Sequence, residues 1–338
     1  MLERFDPVTA EIAPVDRRAA LAALIAAVAA PALIRGARAD TPKGTIRFVV
    51  PFAPGGSVDV LGRAVAKAVG ISLNQTTVVE NVAGGSTNLG SERVARSAPD
   101  GLTVLVASDS LAINKSLFPR LGFDPVSSFE PVTLAITAPQ LLLTHPGSGI
   151  LRVEDYVAAA RARPGAVKVG LPGHGVIGHL ASEIVNRRLG GLSVNHIPYN
   201  GGAPASRDLL GGHLDALYIT LPAVTSQVRE GGLKGLAVSS ARRSKALPDV
   251  PTLAETIAPG LDVVSWQGFL VPAGTPKPLV QGLHAAIASA LRDPSVAAPL
   301  EALGFDILAE GPDHFAGLIR RDVRAFAEIV QQAGLVRS

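Results

Sequence analysis

The stretch Thr45–Ala68, TIRFVVPFAPGGSVDVLGRAVAKA, decides the fold. Ile46 to Phe52 is apolar and β-branched, the pattern of a strand buried on both faces. Pro51, Pro54, Gly55 and Gly56 end it. Ser57 suits an N-cap, and Val58, Leu61, Val65 and Ala68 recur at helical spacing. The order is strand, glycine loop, helix. The first N–H groups of such a helix lack intrahelical partners and carry partial positive charge. Gly55 and Gly56 have no Cβ to hold a ligand off that backbone. Together these features form a site for an anion or carboxylate without a basic side chain. The competing reading is a tight turn that uses glycine for geometry alone.

The 338 residues suffice for about two domains. Aromatic residues make up only 4%, which argues against a site built on base stacking or an aromatic cage. There is no Cys, so disulfides, Cys nucleophiles and thiolate metal sites are excluded. Residues 1–39 hold five of the 31 basic and four of the 28 acidic side chains, leaving 26 against 24, or +2. No Lys/Arg run could track a phosphate backbone, so no nucleic-acid partner is expected.

Ala19–Ile34 is an uncharged, alanine-rich run of 16 residues. Arg17-Arg18 precedes it and Ala37-Arg38-Ala39 follows, the order of a cleavable signal peptide over residues 1–39. The run is short for a membrane span of about 20 residues. An N-terminal helix is the other reading, weakened by the lack of a polar face. The arginine pair leaves twin-arginine and general export both open. The expected location is the periplasm.

The β-α pattern repeats along the chain. Thr77–Glu80 reads as a strand and Asn81–Asn88 as a glycine loop, followed by a helix over 89–96. Thr103–Ala107 is a buried strand that runs into Ser108, Asp109 and Ser110. Polar loops at strand C-termini hold ligands in open α/β sheets, although these serines also suit helix capping. The segment 118–131 reads as irregular and 131–144 as apolar and β-like. Further strand-loop-helix units follow, with loops at Gly173-His174-Gly175-Val176 and at Tyr199-Asn200-Gly201, and a strand ending at Thr220. Val263–Val271 reads as a strand, and helices over 277–292, 295–303 and 312–335 close the chain. The expected fold is α/β with two lobes, residues 40–138 plus 263–338 and residues 139–262, joined by a hinge around a cleft.

Catalytic chemistry is poorly supported. His174 and His179 are five apart, not at the spacing of a zinc helix, and no H-E-x-x-H occurs. Ser57 is not in a G-x-S-x-G motif, and spacing nominates no base for it. Gly173–Gly178 fits G-x-G-x-x-G formally, but the acidic partner expected about 20 residues on is missing. His179 reads as a structural histidine, and His174 as the better ligand candidate. No catalytic residue, metal or cofactor is expected.

The segments IRFVVPFAPGGSVDVLGR, VVEN, APDGLTVLVAS, AINKSLFP, FDPVSSFEPVT, ARPGAVKVG, NHIPYNGGAPASRDLLGG, LAVSSARRSKALPDVPTLAE and SWQGFLVPAGTPKPLV, taken in order, resemble the Bug family. These are extracytoplasmic solute-binding receptors of tripartite tricarboxylate transporters, and the resemblance spans the whole mature chain. It implies a type II periplasmic-binding-protein fold, no enzymatic activity, and a monomer that captures a small organic acid between its lobes. It also implies delivery of that solute to the membrane subunits of a transporter. The expected ligand-binding residues are Phe52, Ala53, Gly55, Gly56, Ser57, Asp59, Ser108, Asp109, Ser110, Gly173, His174, Gly175, Val176, Tyr199, Asn200, Gly201 and Thr220.

The chain departs from the family pattern at Leu171, Pro172 and Val176, where hydroxyls are usual, at His174, where Asn is common, and at Asn200, where Lys is frequent. The expected ligand is therefore less charged or more apolar at that end than a simple dicarboxylate. Two other readings stand beside transport: a sensory binding protein signalling to a membrane kinase, and an exported hydrolase using Ser57 or His179.

Overall fold

The computed structural model of the chain describes residues 41–335; the expected leader, residues 1–39, lies outside the described residues. The opening unit is β1 (Ile46–Val50), α1 (Ser57–Leu73) and β2 (Thr77–Asn81). Leu61, Val65 and Val69 of α1 have no solvent exposure, and burying each contributes roughly 1.5–3 kcal/mol. α2 (Asn88–Ala95) and β3 (Thr103–Ser108) follow, and β1 lies between β2 and β3, parallel to both. α3 (Ser110–Leu117) then leads to β4 (Phe129–Thr144).

A second run of units comprises α4 (Val153–Ala162), β5 (Lys168–Leu171), α5 (Ile177–Arg188), β6 (Asn195–Pro198), α6 (Gly202–Leu210), β7 (Ala216–Thr220), α7 (Thr225–Arg229) and β8 (Lys234–Val238). α8 (Leu253–Thr256) and β9 (Val264–Pro272) return the chain to the first sheet. α9 (Lys277–Arg292), α10 (Pro294–Leu303), β10 (Asp306–Glu310) and α11 (Pro312–Ala333) pack there.

The strand order is β2-β1-β3-β9-β4-β7-β5-β6, with β8 and β10 also on β4. β4 changes partners partway along. Phe129 to Pro139 lie antiparallel to β9, whereas Gln140 to Leu143 pair with β7 and Leu141 to Thr144 with β8. The result is two α/β lobes sharing one long strand. Both sheets are covered on both faces, because successive side chains point to opposite sides. Phe48 and Val50 enter one apolar cluster and Val49 another; Leu141 and Leu143 likewise separate from Leu142.

Ser239 ties the two crossings between the lobes. Its N–H donates to the Gln140 carbonyl and its carbonyl accepts from Val263, both at 2.9 Å. Its hydroxyl accepts from the Gln140 N–H at 2.9 Å and donates to the Val263 carbonyl. A hinge needs crossings that bend together; one buried serine joins them here.

Three elements differ from the sequence reading. α3 begins at Ser110, inside the stretch Ser108–Ser110 that reads as a loop. β10 is antiparallel to β4 and leaves the regular strand conformation at Ala309, φ +53°. α8 is a single turn held by a capping box between Thr252 and Glu255.

Candidate functional site

Four helices begin at one cavity between the lobes. Ser57 and Val58 of α1, Ser110 of α3, Ile177 of α5 with its N-cap Val176, and Gly202 of α6 all line it. The space, including its mouth, is about 470 Å³. Ser108, Asp109, Gln140, Thr220, Ser265 and Gln267 supply the other polar wall, and Phe52, Pro172, Ile219 and Ala223 the apolar wall. No Lys, Arg or His lines it, so an anion bound there would be met by backbone amides and helix dipoles rather than by a cationic side chain.

A second cavity of about 610 Å³ shares Phe52, Pro172 and Val176 with the first. Gly173, His174, Tyr199, Asn200 and the turn Gly84–Thr87 complete it. The Tyr199 hydroxyl donates to Asp208 Oδ2 at 2.7 Å, and burial together with that carboxylate raises it to about 12.

Of the expected site residues, Phe52, Gly56, Ser57, Ser108, Asp109, Ser110, Val176 and Thr220 line the first cavity. Phe52, Gly173, His174, Val176, Tyr199 and Asn200 line the second. Ala53, Gly55, Asp59, Gly175 and Gly201 line neither, and each has another task. Ala53 donates its N–H to the Asn200 carbonyl at 3.0 Å, a bond directly between the lobes. A Cβ on Gly201, φ +145°, would lie 3.1 Å from Ala53 N, and one on Gly55, φ +87°, would lie 3.4 Å from Ala203 Cβ. These two glycines serve turn geometry and close approach of the lobes rather than approach of a ligand.

Asp59 is a brace. Its carboxylate accepts from the Gly55 N–H at 2.9 Å, Arg63 Nε at 2.9 Å and Asn81 Nδ2 at 2.8 Å. Burial alone would raise its pKa, but the bonds from Arg63, Gly55 and Asn81 outweigh burial and hold it below the usual carboxylate range. Gly175 donates to His179 Nδ1 at 3.1 Å. Ser57 is not the N-cap of α1: Gly56 is, and the Ser57 hydroxyl accepts from Gln267 Nε2 at 2.9 Å.

Asp109 is 2% exposed and stands at the N-cap position of α3 without a side-chain capping bond. Burial pushes it up to about 7 against the hydrogen bond from Ser265, with Asp322 adding to the rise. Two other polar atoms of the wall, Ser110 Oγ and Gln267 Oε1, are buried without a hydrogen-bond partner. Such groups call for a ligand or a water.

Gln140, Ser265 and Gln267 line the first cavity beyond the residues expected from the sequence. Their sequence signal is a polar residue interrupting an apolar strand, in TAPQLLLT and SWQGFLVP. Leu171, whose apolar character contributed to the expected ligand chemistry, is a core residue outside both cavities.

Among the described residues, His179, Glu183 and His196 bring donor atoms within 4.8 Å of one another. Their hydrogen bonds disfavour a cation. His179 Nδ1 accepts from Gly175, so the neutral ring carries its proton on Nε2 and has no free lone pair. His196 Nε2 meets Ser182 Oγ at 2.9 Å. Burial, aided by neighbouring imidazoles, lowers His179 to about 3 and His196 to about 4. With no histidine beside Ser57 and its hydroxyl bonded to Gln267, the hydrolase reading lacks a base.

A family model described as "Tripartite tricarboxylate transporter family receptor" matches residues 61–335. Over 299 residues the chain is 36% identical to Protein BugT of Bordetella pertussis strain Tohama I, covering 88% of this chain and 91% of BugT. The solved structure of the periplasmic binding protein BugD superposes with a TM-score of 0.84 at 31% identity, covering 88% of this chain and all of BugD. MatC from Rhodopseudomonas palustris, solved with bound malate, superposes with a TM-score of 0.81 at 30% identity, covering 86% of this chain and 99% of MatC. The chain belongs to the tripartite tricarboxylate transporter receptor family, whose members are periplasmic solute-binding receptors and not enzymes.

Proposed function

We propose that this protein captures a small carboxylate-bearing organic solute between its lobes and delivers it to the membrane subunits of a tripartite tricarboxylate transporter. One observation carries the reading: four helix N-termini meet at a cavity whose lining holds no cationic side chain. Backbone N–H groups at helix ends bind carboxylates without any basic residue. The malate held by MatC supports the same ligand class. The apolar contribution of Pro172, Val176, Ile177 and Ile219 favours a solute that is less charged where it faces the second lobe.

The lobe boundaries follow from the same reading: residues 40–138 and 263–338 form one lobe and 139–262 the other. The change of β4 partners between Pro139 and Gln140 supports the first boundary, and the bond from Val263 to Ser239 supports the last. The protein acts as a monomer in the periplasm after removal of residues 1–39.

A thermal-shift screen of the leaderless protein tests ligand capture. A solute bound only by the folded state, at about 100 times its Kd, adds about 2.7 kcal/mol of stability. Organic acids are expected to raise the melting temperature, and neutral sugars and polyamines are not. A response to sugars or polyamines alone would contradict the reading. Delivery is tested by uptake of the same acid in cells lacking the receptor, which is expected to fall to background.

A further inference from the structure

Leu117 is the last residue of α3 in the first lobe and has no solvent exposure. Its side chain shares one buried apolar cluster with Ile113 of α3 and Val330 of α11, and also with Ile177 and Leu180 of α5 in the second lobe. By the lobe boundaries proposed above, the other four buried apolar clusters among the described residues each stay within one lobe. Gly175, in the loop before α5, lies against Leu117: a Cβ built on it would overlap Leu117 Cδ1 and stand 3.1 Å from Cγ. Its φ of +73° also suits glycine. Leu117 thus fills a socket that the second lobe offers, floored by Gly175 with Ile177 and Leu180 beside it. It lines neither cavity. The cluster crosses the same boundary as the bond from Ala53 to Asn200, so both belong to the arrangement with the lobes together.

We propose that Leu117 sets solute affinity from outside the site: it docks onto Gly175, Ile177 and Leu180 only when the lobes close, and so seats the N-terminus of α5 at the cavity. This rests on the capture reading above. A solute that needs the closed arrangement binds more weakly in proportion to the fraction of molecules that can close. Contacts made only on closure raise that fraction without touching the solute. Leu117 is therefore a positioning residue, and in the open protein its side chain faces water.

The chain has no Cys, so one engineered thiol is unique. Leu117→Cys is compared with Leu61→Cys in the leaderless protein for the rate of reaction with a thiol reagent. Leu61 is also without exposure, but its cluster stays in the first lobe. Without solute, the thiol of Leu117→Cys is expected to react at least about tenfold faster than that of Leu61→Cys, which waits for unfolding. Whichever of malate and succinate raises the melting temperature is expected to slow the first reaction and not the second. In calorimetry with that acid, Leu117→Ala is expected to weaken binding by about tenfold or more. Gly175→Ala weakens it as well, and the double variant loses less than the product of the two, because removing Leu117 makes room for the new Cβ. Melting curves without solute show whether each variant folds, and the thiol comparison needs no solute. Equal protection of both thiols while small-angle scattering shows an unliganded protein more extended than the closed structure would overturn the proposal, as would losses that simply multiply. Equal protection with scattering that matches the closed structure would overturn hinged capture itself and this proposal with it.

Discussion

The Ala53 N–H donates to the Asn200 carbonyl at 3.0 Å, joining the loop after β1 directly to the loop after β6. This bond lies where the lobes meet, and Gly201 is what permits it. A Cβ at Gly201 would stand 3.1 Å from Ala53 N and 3.2 Å from Ala53 Cβ. A Cβ at Gly56 would stand 3.7 Å from Gly202 N, an ordinary contact, and its φ of −82° suits any residue. Gly201→Ala is therefore expected to weaken ligand binding by about tenfold or more, and Gly56→Ala by less than about threefold, measured by calorimetry. Equal losses would show that the lobes do not need this contact. Gly201→Ala also lowers the melting temperature, since φ +145° suits glycine alone.

Ser239→Ala leaves the Gln140 N–H and the Val263 carbonyl without that hydroxyl, inside the protein. The expected loss is about 1–3 kcal/mol in denaturant unfolding, the cost of unpaired buried polar groups. The hinge loosens as well, so small-angle scattering of the unliganded protein is expected to give a larger radius of gyration. A variant with wild-type stability and dimensions would show that the backbone bonds of Ser239 suffice.

Asp59→Asn tests the brace under the glycine loop. Replacing the carboxylate disturbs the bonds to Gly55, Arg63 and Asn81 and is expected to cost about 1–3 kcal/mol at neutral pH. The folded pKa is below the ordinary value, so the folded state binds fewer protons than the unfolded chain. The contribution is present above about pH 3.9 and lost as pH falls through the folded pKa. The gap between wild type and variant should close on acidification; a gap independent of pH would assign the loss to packing.

The histidine cluster gives the protein an acid-sensitive element. His179 and His196 have folded pKa values of about 3 and about 4, below the ordinary value near 6.5. Between these limits the unfolded chain binds more protons, so their contribution falls as pH drops from 6.5 toward 4. Asp109, raised to about 7, acts in the opposite sense over much of that range. Variant and wild type must therefore be compared at each pH. His179→Gln is expected to lose less stability than wild type between pH 6.5 and 4.5; a parallel loss would clear His179 of the effect.

The opening β-loop-α unit is legible because its signals are local: a β-branched run, Pro and Gly, then helical spacing within 24 residues. The same holds for α9, whose bounds at Lys277 and Arg292 follow from Pro276 before it and Pro294 after it. Asp59 is not legible in this way. In the sequence it is an acidic residue in a first helical turn, which dipole complementarity already explains. Its partner Asn81 is 22 residues away and meets it only because β2 pairs with β1. Gln267 is more distant still, 210 residues from Ser57. Single polar residues inside apolar strands are the trace such sites leave, and at Gln140 and Gln267 that trace marks the cavity. The role of Gly201 depends on how the lobes meet, which no local pattern encodes.

On the proposed function, backbone amides at helix N-termini hold the solute's carboxylate. The most direct test is a crystal structure of the leaderless protein with the acid that raises its melting temperature most. The expected result is a carboxylate in the first cavity, its oxygens within hydrogen-bonding distance, about 2.7–3.2 Å, of backbone N–H groups at the start of α1. An acid held elsewhere, or gripped by an Arg or Lys side chain, would contradict it.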